Sequence, residues 1–467
     1  MFVNRVSELA LLEKHYRSKK AELFVLYGRR RVGKTELLAH FCQEKPSIFF
    51  VADQVSEQVL RANLSKVIND AIFGPDQVGA VYNSWDDLLN TLARQAQSKR
   101  LVLVLDEFPY LVAAYPPLAS ILQRIWDQSL KNTQIMMILN GSYIGIMEET
   151  VLGYQAPLYG RRTAQYFLEP LDFLDAQNFF LPYSPDDRLR TYAVYGGTPA
   201  YLQTIEPGNS LETNIIDTIL ERDSPLYDEV RFVLQQELRE PRNYFAVLQA
   251  IAAGNTRQNE IKHATGLESI TPYLETLQQL HLVERTVPVT DSQPHKSRRG
   301  IYRLKDNFLR FWFRFVFPNH SQLERGAKEM VFNTMIRPEI DHFSSIVFEQ
   351  ACRQYFWRIG LQGQLPFTPK QIGGWWQANQ EVDLVILGEE QMMLVECKWS
   401  SRSVGTDILQ ELEEKSAHVS REAKITNLRF ALCSRSGFTK QLVELTKERD
   451  NILLYDWNDM LHLDNSK

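Results

Sequence analysis

An apolar run, Glu22 to Tyr27, opens directly onto Gly28-Arg29-Arg30-Arg31-Val32-Gly33-Lys34-Thr35, and Glu36 to Phe41 then has helical character. This octet between a strand and a helix commits the chain to one local geometry. The strand ends, the glycines let the backbone curl, and N–H groups converge on an anion at the start of a helix. The expected architecture is therefore α/β, a P-loop NTPase with a parallel sheet. Residues Gly28, Arg29, Arg30, Arg31, Val32, Gly33, Lys34, Thr35 and Glu36 are candidates to line a nucleoside triphosphate. Lys34 is expected to neutralise the β and γ oxygens and Thr35 to ligate Mg²⁺.

Such a site needs an acid from a second strand. Leu101 to Leu105 is continuously apolar, as in a strand buried on both faces, and ends in Asp106-Glu107. Asp106 is expected to hold Mg²⁺ through water, and Glu107 to orient or deprotonate the attacking water. A third apolar run, Ile135 to Leu139, carries Asn140-Gly141-Ser142 to the same carboxyl edge. Asn140 or Ser142 is a candidate γ-phosphate sensor; a capped strand end is the plainer reading. The loop Pro157 to Thr163 contains Arg161 and Arg162. Either is a candidate arginine finger, with Arg161 preferred, against an ordinary acid-paired arginine.

Phe2-Val3-Asn4-Arg5 with Glu8-Leu9, the 28–35 loop, Asp106-Glu107-Phe108-Pro109, Asn140-Gly141-Ser142, Pro157-Leu158-Tyr159-Gly160-Arg161 and Gly196-Gly197-Thr198-Pro199-Ala200-Tyr201-Leu202 recur together here. In combination they resemble the archaeal-type ATPases of the AAA+/STAND branch, over residues 1–235. The resemblance implies an ASCE sheet, a helical lid beyond residue 170, and Gly196 to Pro199 in that lid near the nucleotide. It also implies ATP as the nucleotide, and the sequence contains no NKxD-like guanine-reading element.

From Tyr244 the pattern turns to short helices: Tyr244 to Ile251, Thr256 to Ala264 and Ser269 to Leu282, punctuated by Gly254 and Gly266. Two strand-like segments, Val283 to Val287 and Ile301 to Leu304, flank a polar loop containing Lys296, Arg298 and Arg299. This is the pattern of a winged helix in residues 236–334. Residues 241–320 hold eleven basic and six acidic residues, a local charge of +5 in a chain of net charge −5. DNA is the expected partner, with Lys296, Arg298 and Arg299 on phosphates and Ser269, Thr271 and Gln278 toward the major groove. Glu268 and Glu275 on the same helix argue the other way. The aromatic run Phe308 to Phe317 reads as core rather than as a base-stacking platform. With Tyr302 and Asp306 it resembles the domain of unknown function that follows the ATPase in this family.

Beyond residue 335 two strands, Glu381 to Leu387 and Met392 to Trp399, join through Gly388-Glu389-Glu390. Period-two alternation puts Glu396 and Lys398 on one face and Cys397 on the other; a two-residue turn at Glu389 and Glu390 sets Asp383 opposite Glu396. Carboxylates that bind Mg²⁺ and an ammonium beside them are what phosphodiester hydrolysis requires. Glu349, on a helix expected over Ser344 to Trp357, is a candidate third carboxylate. The arrangement resembles the PD-(D/E)XK, restriction-endonuclease-like nucleases over residues 335–467, with Asp383, Glu396 and Lys398 on the motif and Val382 in place of its proline. An inactive, nuclease-like ion pair is the alternative. Gln410 and Lys415 are candidates for lining the groove or for a solvated helix face.

A length of 467 residues suggests about three domains, here 1–235, 236–334 and 335–467. No apolar stretch is long enough for a membrane span and no signal-peptide core is visible, so a cytoplasmic protein without a membrane partner is expected. Cys42, Cys352, Cys397 and Cys433 are scattered, without CxxC spacing, and are expected as reduced, mostly buried thiols. The leading functional expectation is a DNA-associated ATPase in which nucleotide state controls a winged helix and an Mg²⁺-dependent nuclease-like domain. A STAND-like signalling switch with a silent nuclease-like domain is the competitor, and a structure-specific nuclease regulated by the ATPase a third reading. Self-association is left open.

Overall fold

The computed structural model describes residues 2–74, 81–238 and 240–462. The chain divides into two compact units: one runs through Pro170 and includes Thr198–Ala200, and the other comprises Leu171–Gly197 and the chain from Tyr201 onward.

In the first unit the apolar runs form strands β1 (Glu22–Tyr27), β2 (Ser47–Val51), β3 (Leu101–Asp106), β4 (Ile135–Gly141) and β5 (Ala164–Phe167). They make one parallel sheet in the order β2-β3-β4-β1-β5. Strand alternation splits their side chains between two cores. Leu23, Val25, Leu103, Leu105, Met137 and Leu139 enter one, and Phe24, Leu26, Val102, Val104, Met136 and Ile138 the other. That is why these strands read as unbroken apolar runs. Because β4 stands between β1 and β3, the carboxyl ends of all three are neighbours, bringing residues 28–35, 106–107 and 140–142 to one edge.

The second unit contains helices Pro241–Ala252, Gln258–Thr265 and Thr271–Gln279, followed by the antiparallel pair β6 (Val283–Thr286) and β7 (Ile301–Leu304). Ile251, Ile261, Leu274 and Leu277 are buried along the three helices. In the aromatic run, Phe308, Phe311, Trp312, Phe313 and Phe315 are buried, and the Trp312 indole donates to the Tyr227 carbonyl at 2.7 Å. The run is core. A long helix, Ile340–Leu361, precedes β8 (Gln371–Gln377), β9 (Gln380–Leu387), β10 (Gln391–Lys398), β11 (Asn427–Ser434) and β12 (Ile452–Asp456). This sheet is mixed, in the order β12-β11-β10-β9-β8, antiparallel from β8 to β10 and parallel from β10 to β12. Helix Thr406–Ala423 makes the β10 to β11 crossover that a parallel pair requires.

Residues 235 and 335 both lie inside this second unit. The reason is a set of contacts from residues 171–197 to the Ile340–Leu361 helix and the last sheet. Arg358 pairs with Asp172 at 2.7 Å and Asp175 at 3.1 Å, Arg435 with Asp186 at 2.6 Å, and the Trp457 indole donates to the Pro185 carbonyl at 3.1 Å. Among the described residues no helix is long and apolar enough to cross a membrane.

Candidate functional site

The phosphate loop is shaped by conformations that only particular residues accept. Gly28 has φ 153° and a Cβ there would lie 2.6 Å from the Leu168 carbonyl oxygen, so this position admits no side chain. Gly33, at φ 92°, precedes helix Lys34–Cys42, and Arg31 is held in the left-handed region at φ 66°. Lys34 is buried, and its ammonium donates to the Gly28 and Arg29 carbonyls at 2.9 Å each. Arg30 points elsewhere: its guanidinium donates to the Tyr110 and Tyr143 hydroxyls at 2.7 and 2.6 Å and lies over the Tyr143 ring. A Cβ on Gly33 would sit 3.8 Å from Pro199, so Thr198–Ala200 lies against the loop.

The acids meet the loop directly. Asp106 is fully buried and accepts from the Thr35 hydroxyl at 2.7 Å, from the Glu107 N–H at 2.8 Å and from the Asn140 amide. Glu107 itself has φ 51°, a strained conformation for a side-chain-bearing residue. Its carboxylate accepts from the Ser142 hydroxyl at 2.7 Å and the Ser142 N–H at 3.4 Å. Thr35 and Asp106 offer hard oxygen donors side by side at a helix N-terminus, and these fit Mg²⁺.

Asn140 and Ser142, the candidate γ-phosphate sensors, bond Asp106 and Glu107 respectively, because β4 lies beside β3 and its terminal side chains face the acids. The candidate finger Arg161 pairs with Asp127 at 3.0 Å, and Arg162 bonds Gln165 and lies over the Tyr159 ring.

One residue quoted above only for its resemblance acquires a task. Arg5 is buried, pairs with Glu8 at 2.9 Å, and donates to the Val32 carbonyl at 3.0 Å, bracing the loop from behind. Losing a buried, charge-assisted hydrogen bond costs about 1.5–3 kcal/mol. Arg5→Ala is therefore expected to weaken nucleotide binding about tenfold or more. Titration with a fluorescent ATP analogue measures this; unchanged affinity in a folded variant would remove the bracing role.

The second constellation lies in the other unit. Strands β9 and β10 pair Met392 with Leu387 through Val395 with Leu384, so Asp383 and Glu396 are the residues next to the last paired positions. The Gly388 N–H to Gln391 carbonyl bond, 2.8 Å, closes the two-residue turn at Glu389 and Glu390. The Lys398 ammonium lies 2.6 Å from Glu396, Lys415 reaches the same carboxylate at 3.6 Å, and Asp383 accepts from the Cys397 N–H at 2.7 Å. Gln410 instead bonds Glu414 on an exposed helix face. Glu349 comes from helix Ile340–Leu361. Burial pushes its carboxyl up to about 7; Arg303 opposes this, while Glu381 and Glu396 add repulsion. Asp383 is likewise held well above the ordinary carboxylate range, by burial first and then by Glu349 and Glu396. The Glu396 Oε2 is buried without a hydrogen-bond partner. Glu349 and Asp383, each raised by burial and by the charge of the buried Glu396, thus lie within electrostatic reach of that carboxylate and of Lys398.

In the wing, Arg299 pairs with Asp291 and with Glu422 at 3.0 Å on the Thr406–Ala423 helix. Lys296 and Arg298 remain exposed. Ser269, two residues before the third helix, is exposed; on the helix the Thr271 hydroxyl accepts from Gln258 at 2.8 Å, and Gln278 bonds back to the Leu274 carbonyl at 3.0 Å.

Comparison with known proteins adds the following. Residues 2–205 match the family described as an ATPase domain predominantly from Archaea, and residues 312–427 match archaeal and bacterial proteins of unknown function. An uncharacterized protein of Methanocaldococcus jannaschii is 34% identical over 404 residues, covering 85% of this chain and 88% of that protein. An uncharacterized ATP-binding protein of the same organism is 56% identical over 45 residues, 10% of this chain and 76% of that protein. Among solved structures, a Walker-type ATPase of Pyrococcus abyssi is 20% identical with a TM-score of 0.47, covering 67% of this chain and 96% of that one.

Proposed function

Because this chain belongs to the archaeal-type ATPase family, we propose that it hydrolyses ATP and uses nucleotide state to control a DNA-directed C-terminal region. That region comprises the winged-helix segment, 236–334, and an Mg²⁺-dependent, restriction-endonuclease-like segment, 335–467. The observation that carries the ATPase half is the contact of Thr35 with Asp106 beside a Glu107 already oriented by Ser142. Lys34 would hold the phosphates, Thr35 and Asp106 would hold the cation through their oxygens, and Glu107 would take the proton of the attacking water. Mg²⁺ bound there supplies positive charge to the β and γ oxygens.

Control of the remote region is supported by connectivity. Thr198–Ala200 lies against the phosphate loop, and the chain just before it, 171–197, is clamped by ion pairs to the helix that carries Glu349. The DNA-cleaving half is supported by the convergence of Asp383, Glu396, Lys398 and Glu349. The test measures ATP hydrolysis and DNA integrity in one tube, with branched, linear or single-stranded DNA and Mg²⁺ or Mn²⁺. DNA-stimulated turnover supports the reading. Turnover indifferent to every DNA form would sink it, and stimulation without cleavage would leave a silent nuclease-like segment in a signalling switch.

The ion pairs of Arg299 bear on the salt dependence of DNA binding. With Arg299 committed to Asp291 and Glu422, only Lys296 and Arg298 are free to release counterions from DNA. Replacing both with alanine is expected to flatten the slope of log K against log salt by about 1.8, at about 0.9 per phosphate. Arg299→Ala should leave the slope unchanged and lower thermal stability. Binding measured from low to moderate salt checks both, and an equal slope change from Arg299→Ala would restore it as a DNA contact.

A further inference from the structure

We propose that Cys352, Cys397 and Cys433 form a soft-metal site in which three thiolates bind one thiophilic cation, of the Cu⁺ or Zn²⁺ class. Their sulfurs all lie within 4.8 Å of one another. They come from three separate elements, helix Ile340–Leu361, β10 and β11, with Cys397 and Cys433 paired in register. All three are buried and none is in a disulfide. A metal–sulfur bond of about 2.3 Å puts the sulfurs of a three-coordinate ion about 4 Å apart. The triangle is thus within about an ångström of the geometry such an ion imposes.

The three thiols differ: burial raises Cys352 and Cys397 well above the ordinary thiol range, whereas at Cys433 hydrogen bonds from those two outweigh burial and bring it down to about 6. Loading the site breaks S–H bonds and releases the protons to solvent, with no change of oxidation state. Among the described residues the group in mutual reach consists of three sulfurs, which suits low-coordinate Cu⁺ better than tetrahedral Zn²⁺.

The bound ion would pin a helix to two strands immediately behind the acids. Glu349 is one helical turn before Cys352, and Cys397 lies between Glu396 and Lys398 with its N–H on Asp383. The site does not depend on whether those acids cleave DNA.

The test uses reduced, chelator-stripped full-length protein equilibrated with Cu⁺, Zn²⁺ or Cd²⁺ alone. Expected are about one equivalent per chain, a sulfur-to-metal charge-transfer band, and X-ray absorption showing sulfur neighbours at about 2.3 Å. Three sulfur neighbours alone would assign the Cu⁺ class, and a fourth ligand the Zn²⁺ class. Cys433→Ala and Cys352→Ser should lose the band, while Cys42→Ser keeps it. Because buried cysteine variants can misfold, the wild-type absorption spectrum is decisive by itself. No band with any of the three ions, or a band that persists in folded Cys433→Ala, overturns the site.

Discussion

Glu107→Gln is expected to lower ATP turnover about 10²–10⁴-fold while changing nucleotide affinity by no more than a few-fold. The asymmetry follows from the geometry. In the proposed function the phosphates would be held by Lys34, by the loop's N–H groups and by a cation at Thr35 and Asp106, and Glu107 meets Asp106 through its own backbone N–H. A glutamine keeps that N–H and accepts from Ser142 through its carbonyl, so the loop should be undisturbed. What disappears is the basic oxygen that takes a proton from water. The measurement pairs single-turnover hydrolysis with ATP titration. A matched loss of affinity would show that Glu107 supports the loop structurally, and an unchanged rate would move the base elsewhere. Ser142→Ala is a milder companion. It frees the carboxylate from its orienting hydroxyl and should lower kcat about tenfold with KM unchanged.

What the sequence revealed of this machinery divides along a physical line. Strands β1, β3 and β4 were legible because burial on both faces forces an uninterrupted apolar run, and the residues ending them are fixed by chain position. Strand β2, at the sheet edge with Ser47, Phe49 and Val51 only partly covered, lacks that signal, as does the four-residue β5. The tasks of Asn140 and Ser142 depended on sheet order, which is a long-range property; they meet acids 34 and 35 residues away. Arg299 is the same lesson at greater distance. Its basic neighbourhood suggested a phosphate, but a partner 123 residues further on, Glu422, claims it. Period-two alternation and a two-residue turn were enough to expect the β9–β10 hairpin and Glu396 beside Lys398, because a hairpin is local. The cysteine triangle needed a helix packed on a sheet and left no trace in spacing.

The acid cluster supplies the other large effect, and its sign can be worked out before any measurement. Glu349 has a folded pKa of about 7 against an ordinary 4.5. Between those values the native protein keeps a proton that the unfolded chain has lost, so stability falls as pH rises through that window. The loss is complete above the folded pKa and amounts to about 3 kcal/mol at this one residue. Glu349→Gln should therefore match wild type in acid and melt at a higher temperature than wild type at pH 8 in chelator. Millimolar Mg²⁺ should raise the wild-type melting temperature at pH 8, because a cation among Glu349, Asp383 and Glu396 offsets their repulsion. It should do much less for Glu349→Gln. The catalytic counterpart is Asp383→Asn, expected to abolish Mg²⁺-dependent DNA cleavage by at least about 10²-fold, since a lost ligand removes several kcal/mol of charge stabilisation. Below pH 7 wild-type cleavage should fall about tenfold per unit, as the proton on Glu349 competes with the cation. Melting curves at several pH values with and without Mg²⁺ separate two outcomes. Cation-dependent stabilisation without cleavage by wild type leaves a metal-binding but silent domain. Stability indifferent to both pH and Mg²⁺ removes the cation site altogether, and with it the reason for three carboxylates to share a buried corner.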